Sequence, residues 1–358
     1  MSQTASSIAA IGEHSEAIMI ESPMIMIASV RAALLQFTWR QWSQLGIAGD
    51  VPFQDPWLLD IESLLLFTLY MGRFDPRLMD EVLDWCIANV DTLSVQRLKR
   101  LRSSEPGNLT ARILSALASL LQEHTGSARW RPLQLDTAQS PPEPFFLDLD
   151  GSPLPLFGAS DPHFLRAGFL RSPIGLRSLS VTPSIDLPVA LILKLRALFG
   201  VDPRAEAIAY LLTHQVVGAR EVARATACAS ATAHALLKAL HAGQFLVGSG
   251  RQGYALERSR WQAFLLGGLD RPVPEWIAWS VVLPTLTSAL ETIADGCLAS
   301  SYLRSSRWLR LDASLCHAVK GSGLSNPFAI PTGIDDVGHA LPERLHRLSM
   351  ILASGILP

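Results

Sequence analysis

The sequence predicts a mainly α-helical protein of several domains that carries one small two-stranded β element. The chain has 358 residues, which is enough for two or three domains. Hydrophobic residues make up 49% of it and charged residues only 17%, and much of the apolar excess is alanine and leucine, which favour helices. Apolar residues also recur at helical spacing, as at Leu64, Phe67 and Met71.

The N-terminal part is predicted to be a loose tail over 1–23 and a helical domain over 24–124. Asp-Pro pairs at Asp55 and Asp75 are typical of helix starts, because Asp caps the first turn and Pro fits the first helical position. Ser94 similarly caps a short helix rich in cations. We interpret Arg97, Lys99 and Arg100 of that helix as a second basic surface for DNA or for docking. A solvated helix face is the simpler alternative.

The middle of the chain, residues 125–186, is predicted to be a proline-rich connector, because proline removes a backbone donor and breaks helices. Its many Phe and Leu residues predict that it packs against its neighbours. A helix from Val189 to Phe199 ends at Gly200 and is apolar nearly all round, so we expect it to be buried between domains or in a homodimer. A C-terminal helical domain over 263–358 is expected to contain helices around 275–283, 284–299, 300–317 and 336–353.

The most informative pattern lies in residues 187–262. Asp202-Pro203 starts one helix, and Ala219 to Thr226 form a second. After a break at Ala227-Cys228-Ala229, a third helix runs from Ser230 to about Ala242. Apolar residues of the last two helices face a shared core, namely Val222, Leu236, Leu237 and Leu240. Ala227 occupies the turn position at which glycine is usual, because a positive φ is needed there.

Two short strands follow, Gln244 to Val247 and Gln252 to Leu256, joined by a glycine-rich reversal. This order resembles the winged-helix regulators of the MarR and ArsR type, over about 55 residues. The resemblance implies that the third helix enters the major groove of double-stranded DNA and that the hairpin, or wing, lies along a phosphate backbone. The DNA-binding residues would then be Arg220, Arg224, Ser230, Thr232, His234, Lys238 and Arg251.

Charge supports a local site for nucleic acid. Between 218 and 260 there are six cations against two carboxylates, a balance of +4 in a chain whose formal net charge is −2. A basic island in an acidic chain is the pattern expected for phosphate contact. The alternative is a winged helix that binds protein instead of DNA, as a module or adaptor. The alanine-rich helix after Ser230 favours that alternative, because alanine cannot hydrogen-bond base edges.

A wider similarity concerns the segments around 64–101 and 189–246. They are similar to bacterial helix-turn-helix proteins that are encoded beside nucleotidyltransferase-like toxins. That resemblance implies an autorepressor or an antitoxin, with a cognate toxin or another protein as partner. We therefore predict a cytoplasmic, sequence-specific DNA-binding regulator of transcription, with a homodimer as one arrangement.

Other classes of function find little support. Gly248 to Gly253 spell GxGxxG, but a dinucleotide site needs a parallel sheet and a crossover helix, for which the chain has no pattern. Cys86, Cys228, Cys297 and Cys316 form no CxxC or Cys/His cluster, which predicts reduced thiols and no metal. No apolar stretch approaches the ~20 residues of a membrane span. We find no catalytic motif, and we predict neither an enzyme nor a cofactor.

Overall fold

The computed structural model describes residues 25–47, 55–103, 109–135, 141–249, 252–268, 271–296, 301–320, 322–324 and 337–355. These residues are mainly helical, which confirms the predicted class. In chain order the α-helices are α1 (25–43), α2 (Ile61–Met71), α3 (Pro76–Ala88), α4 (Val95–Arg102), α5 (Leu109–Thr125), α6 (Pro162–Arg166), α7 (Leu191–Phe199), α8 (Pro203–Thr213), α9 (Ala219–Ala225), α10 (Ser230–Ala242), α11 (Arg258–Leu266), α12 (Trp279–Gly296), α13 (Ser301–Lys320) and α14 (Val337–Ser354). The strands are β1 (Glu143–Pro144), β2 (Phe169–Leu170), β3 (Leu246–Ser249) and β4 (Gly253–Leu256).

The N-terminal helices pack around α2, every residue of which is buried. The expected helix starts at Asp75 and Ser94 are confirmed, since each side chain accepts a hydrogen bond from the first turn of α3 or α4. The expected start at Asp55 is wrong. Its buried carboxylate accepts hydrogen bonds from side chains of α1, Arg40 and Gln41 among them, and the next helix begins only after Asp60.

The connector packs into the main core, as its aromatic residues predict. It contains a 3-10 helix (Ala128–Leu133), and β1 and β2 pair in parallel. Phe145, Phe164 and Phe169 are fully buried, and the ring of Phe145 lies edge-on to the other two at 4.8 and 5.5 Å. The buried guanidinium of Arg171 lies 4.7 Å from the Phe164 ring centre.

A second, smaller core beside the main one consists of residues between Leu191 and Leu266 together with Leu58, whereas Leu193 belongs to the main core. A 3-10 turn (Pro188–Ala190) leads into α7, which ends at Gly200 with a φ of 85°. Asp202 caps α8 by accepting a hydrogen bond from Arg204 N, which confirms the predicted start. The helices α8, α9 and α10 and the β3–β4 hairpin surround this core.

The C-terminal helices belong to the main core. The prediction of two helices separated at Pro284 is wrong, because α12 runs through that proline. Burial of Val282, Leu283 and Leu286 outweighs the loss of one backbone hydrogen bond. Trp279 packs 5.6 Å from Trp57 and brings α12 against the N-terminal helices. The predicted domain boundaries stay a prediction, but the main core joins N-terminal, connector and C-terminal residues.

Candidate nucleic-acid interface

The two helices α9 and α10 form a helix-turn-helix held by small and apolar residues. Val222 and Ala223 of α9 are buried, as are Ala233, Leu237 and Leu240 of α10. The α10 residues recur at intervals of three and four, so one face of the helix is buried and the other is left to solvent. The local pattern in the sequence therefore places both helices correctly.

The turn between them has the positive φ that is usual for this motif, although alanine and not glycine occupies the position. Ala227 has a φ of 51°, in the left-handed region that alanine rarely adopts. The amide of Cys228 donates to Ala223 O at 3.0 Å and closes the turn. The carbonyl of Ala227 points away from the module and accepts a hydrogen bond from Arg100 Nη1 of α4 at 3.2 Å. The turn is thus fixed from two sides.

The predicted DNA-binding residues that the structure describes are all exposed. Exposed side chains on α9 are Arg220 and Arg224, and those on α10 are Ser230, Thr232, His234 and Lys238. No hydrogen bond or ion pair with a described residue engages the side chains of Thr232, His234 or Lys238. Arg251 lies outside the described residues. Contact of these side chains with DNA stays a prediction.

The hairpin is an antiparallel pair in which Leu246 lies opposite Leu256 and Ser249 opposite Gly253. Gly248 has a φ of 98°, and a Cβ there would overlap the carbonyl oxygen of Gly253, so this position requires glycine. An antiparallel hairpin has neither the parallel neighbour nor the crossover helix of a dinucleotide site. Gly248 and Gly253 therefore belong to the hairpin and not to a dinucleotide site, as the sequence indicates.

A third extended segment joins the hairpin to the start of α9. Val217 and Tyr254 exchange two backbone hydrogen bonds, each of 2.9 Å. Two residues later α9 begins, and Gly218 N donates to the Glu221 carboxylate at 2.6 Å. The position of the hairpin is thereby fixed relative to the helix-turn-helix.

The second basic surface needs a correction. Arg97 is only 5% exposed, so the expectation that it lies on an outer helix face is wrong. Helical spacing puts it beside Leu98 and Leu101 on the buried face of α4, where it pairs with Asp60 and with Glu62. Lys99 and Arg100 are exposed, as predicted.

A buried ionic network, formed by Asp60, Glu62, Arg97, Arg196 and Glu206, holds the module against the main core. Arg196 of α7 lies 2.7 Å from Glu62 and also pairs with Glu206 of α8. Burial opposes ionisation of Glu62, but the charges of Arg196 and Arg97 outweigh it and hold its pKa below the usual value. Glu62 therefore stays ionised at neutral pH. The sequence contains one signal for the network, a lone arginine on the apolar helix α7.

A cleft of about 190 Å³ lies between the helix-turn-helix and the main core. The rings of Tyr210 and His214 stack at 3.8 Å on one wall, and Trp276 meets Tyr210 edge-on at 5.1 Å. Glu221 and Arg224 of α9 also line the cleft. Burial lowers the pKa of His214 below its usual value, which favours the neutral ring.

Two kinds of feature are absent from the described residues. None of the helices found there is long and apolar enough to cross a bilayer. The same residues contain no group of three or more His, Cys, Asp or Glu side chains arranged to hold a metal ion. Comparison with protein-family models, with curated proteins and with solved structures finds no match to this chain.

Proposed function

We propose that the module formed by α8, α9, α10 and the β3–β4 hairpin binds double-stranded DNA, and that the protein regulates transcription in the cytoplasm. In this proposal α10 enters the major groove, α9 crosses the backbone and the hairpin lies along phosphates. The first residues of α10 would then contact base edges.

One observation carries the proposal, the exposed face of α10. The side chains of Thr232, His234 and Lys238 are exposed and make no hydrogen bond or ion pair with the described residues. Each can bond a base or a phosphate, and none is needed to hold the fold. The small residues Ala231 and Ala235 between them allow the helix backbone to approach the groove closely.

Charge and the flanking elements add support. Arg220 and Arg224 are exposed on α9, the helix that would cross the backbone. Glu221 lies between them, but its carboxylate accepts a hydrogen bond from Gly218 N. Guanidinium groups bind phosphate oxygens in a bidentate manner, and phosphate contacts supply most of the affinity for DNA.

A second candidate is a protein-binding module, and a different observation favours it. The hairpin and its surroundings expose large apolar side chains, with Phe245 52%, Val247 63% and Phe264 64% exposed. Contiguous exposed apolar side chains are typical of surfaces that bind protein. Under this alternative the alanine-rich face of α10 would pack against a partner helix.

Duplex binding at several salt concentrations separates the two candidates. The full-length protein should bind mixed-sequence duplexes in fluorescence anisotropy, with log K falling linearly with log salt between about 50 and about 200 mM. The double variant Arg220→Ala/Lys238→Ala should reduce that slope by roughly 2 units if each cation neutralises one phosphate. Absence of binding by the wild type at the lowest salt would refute the DNA proposal and leave the protein-binding candidate.

A further inference from the structure

A band of cations outside the helix-turn-helix begins where the turn of that motif ends. It consists of the outer face of α4 and the 3-10 helix Ala128–Leu133, which packs on α4. We call it the α4 basic band, and its cations are Lys99, Arg100, Arg102, Arg129 and Arg131.

The band is built on a rigid support. Leu98 and Leu101 anchor α4 in the main core, and Trp130 and Leu133 anchor the 3-10 helix. Arg102 Nη1 donates to Leu133 O at 2.9 Å and ties the two elements together. The cations therefore project from fixed backbone, which lowers the entropic cost of binding a charged partner.

Carboxylates are scarce beside these cations. Neither α4 nor the 3-10 helix contains an acidic residue. The nearest described carboxylate is that of Asp91, 3.4 Å from Arg129 and 93% exposed at its side chain. The side chains of Lys99 and Arg131 are exposed, and neither makes a hydrogen bond or an ion pair with any described residue. Uncompensated cations at fixed positions attract a polyanion.

The contact between the α4 basic band and the helix-turn-helix indicates which partner the band binds. Arg100 donates to the carbonyl oxygen of Ala227, and α10 begins three residues later at Ser230. The start of α10 is the end that would lie in the groove, so the band adjoins the DNA phosphates that flank the groove. The alternative partner, an acidic protein surface, has no such positional argument.

We propose that the α4 basic band binds the phosphate backbone of the same duplex, outside the stretch that α10 reads. This inference rests on the proposed DNA binding by the module. Phosphate contact by the α4 basic band adds sequence-independent affinity and lengthens the protected stretch of DNA on one side of the site.

The test uses a double variant that leaves the turn untouched, Lys99→Ala/Arg131→Ala, in the full-length protein. Each lost contact should weaken binding of every duplex roughly tenfold at about 0.1 M salt and reduce the salt slope by about 1 unit. Hydroxyl-radical footprinting should lose protection on one flank only. The matched control is Arg307→Ala/Arg310→Ala, which removes two exposed cations of α13 and should keep slope and footprint.

The outcomes separate the two proposals. If the wild type binds no duplex, the function proposed for the module fails, and this inference fails with it. If the wild type binds and Lys99→Ala/Arg131→Ala keeps its slope and footprint, or binds more tightly, only the α4 basic band is refuted. An equal loss in the α13 control would also refute it, since net charge alone would then explain the effect.

Discussion

The guanidinium of Arg196 lies 2.7 Å from the carboxylate of Glu62, and this pair connects α7 to α2 in the main core. Both side chains are almost completely buried. The same guanidinium pairs with Glu206, so one arginine links two buried carboxylates from different helices. The orientation of the helix-turn-helix relative to the main core depends on this arrangement.

Arg196→Met should therefore destabilise the fold by about 3–5 kcal/mol, because it leaves buried carboxylates without their cation. Urea denaturation followed by circular dichroism measures the loss. Arg204→Met is the matched control, since Arg204 is exposed on α8 and should change stability by less than about 0.5 kcal/mol. A loss below about 1 kcal/mol in Arg196→Met would contradict the structural importance of the network.

Ala227→Gly should stabilise the protein by roughly 0.5–1 kcal/mol, because glycine adopts the positive φ of this turn without the Cβ clash. The same change at Ala235, exposed within α10, should instead cost about 1 kcal/mol, the usual penalty for glycine in a helix. Denaturant midpoints of the two variants decide the matter. Destabilisation by both would show that the Ala227 side chain contributes more through packing than its backbone costs.

Local signals predicted much of the fold, and long-range contacts explain where they failed. Caps at Asp75, Ser94 and Asp202 and the spacing of Leu237 and Leu240 depend on neighbours in sequence, so they could be predicted. The apparent helix start at Asp55 fails because α1 supplies the donors for its carboxylate.

In the candidate site, too, local patterns predict some features and long-range contacts determine others. The outer face of α10 follows from helical periodicity, which places Thr232 and Lys238 opposite the buried residues. The burial of Arg97 does not, because its partners Asp60 and Glu62 lie 37 and 35 residues earlier in the chain. Nothing in a basic helix indicates that one of its cations has a buried carboxylate opposite it.

The lowered pKa of His214 predicts that the folded protein loses stability in mild acid. Burial holds the folded pKa of His214 below the usual value, whereas the unfolded chain titrates near 6.5. The unfolded state therefore binds more protons at low pH, so stability is complete above about 6.5 and falls as pH drops through the folded pKa. Around the ring, Glu221 opposes this shift, as does a hydrogen bond to Tyr210 O, and Arg258 reinforces it.

The variant His214→Asn should lose part of this pH dependence. Melting temperatures of the wild type and the variant at several pH values between about 7.5 and 5.5 measure it. Gln215→Asn, at the next and exposed position, does not titrate and should behave as the wild type does. Identical acid profiles for the wild type and His214→Asn would rule out His214 as a source of the loss.

Base-specific contact by α10 is the sharpest prediction for the proposed function. If α10 lies in the groove, the exposed Thr232 and His234 reach base edges near its start, and Ala231 and Ala235 meet thymine methyl groups, so the preferred site should be A·T-rich there. Thr232→Ala or His234→Ala should then reduce discrimination at particular base pairs by about 1–3 kcal/mol each. Selection of bound duplexes from a random library, followed by sequencing, measures the preference of each variant.

Exposed cations of α4 provide the contrast, because phosphate contacts carry no sequence information. Lys99→Ala should lower affinity for all duplexes alike and leave the selected sequence unchanged. Arg97→Ala does not belong to this comparison, since Arg97 is buried in the ionic network and its loss should unfold the protein instead. A changed preference in Lys99→Ala, with an unchanged one in Thr232→Ala and His234→Ala, would place the reading helix in the N-terminal region and overturn the assignment of α10.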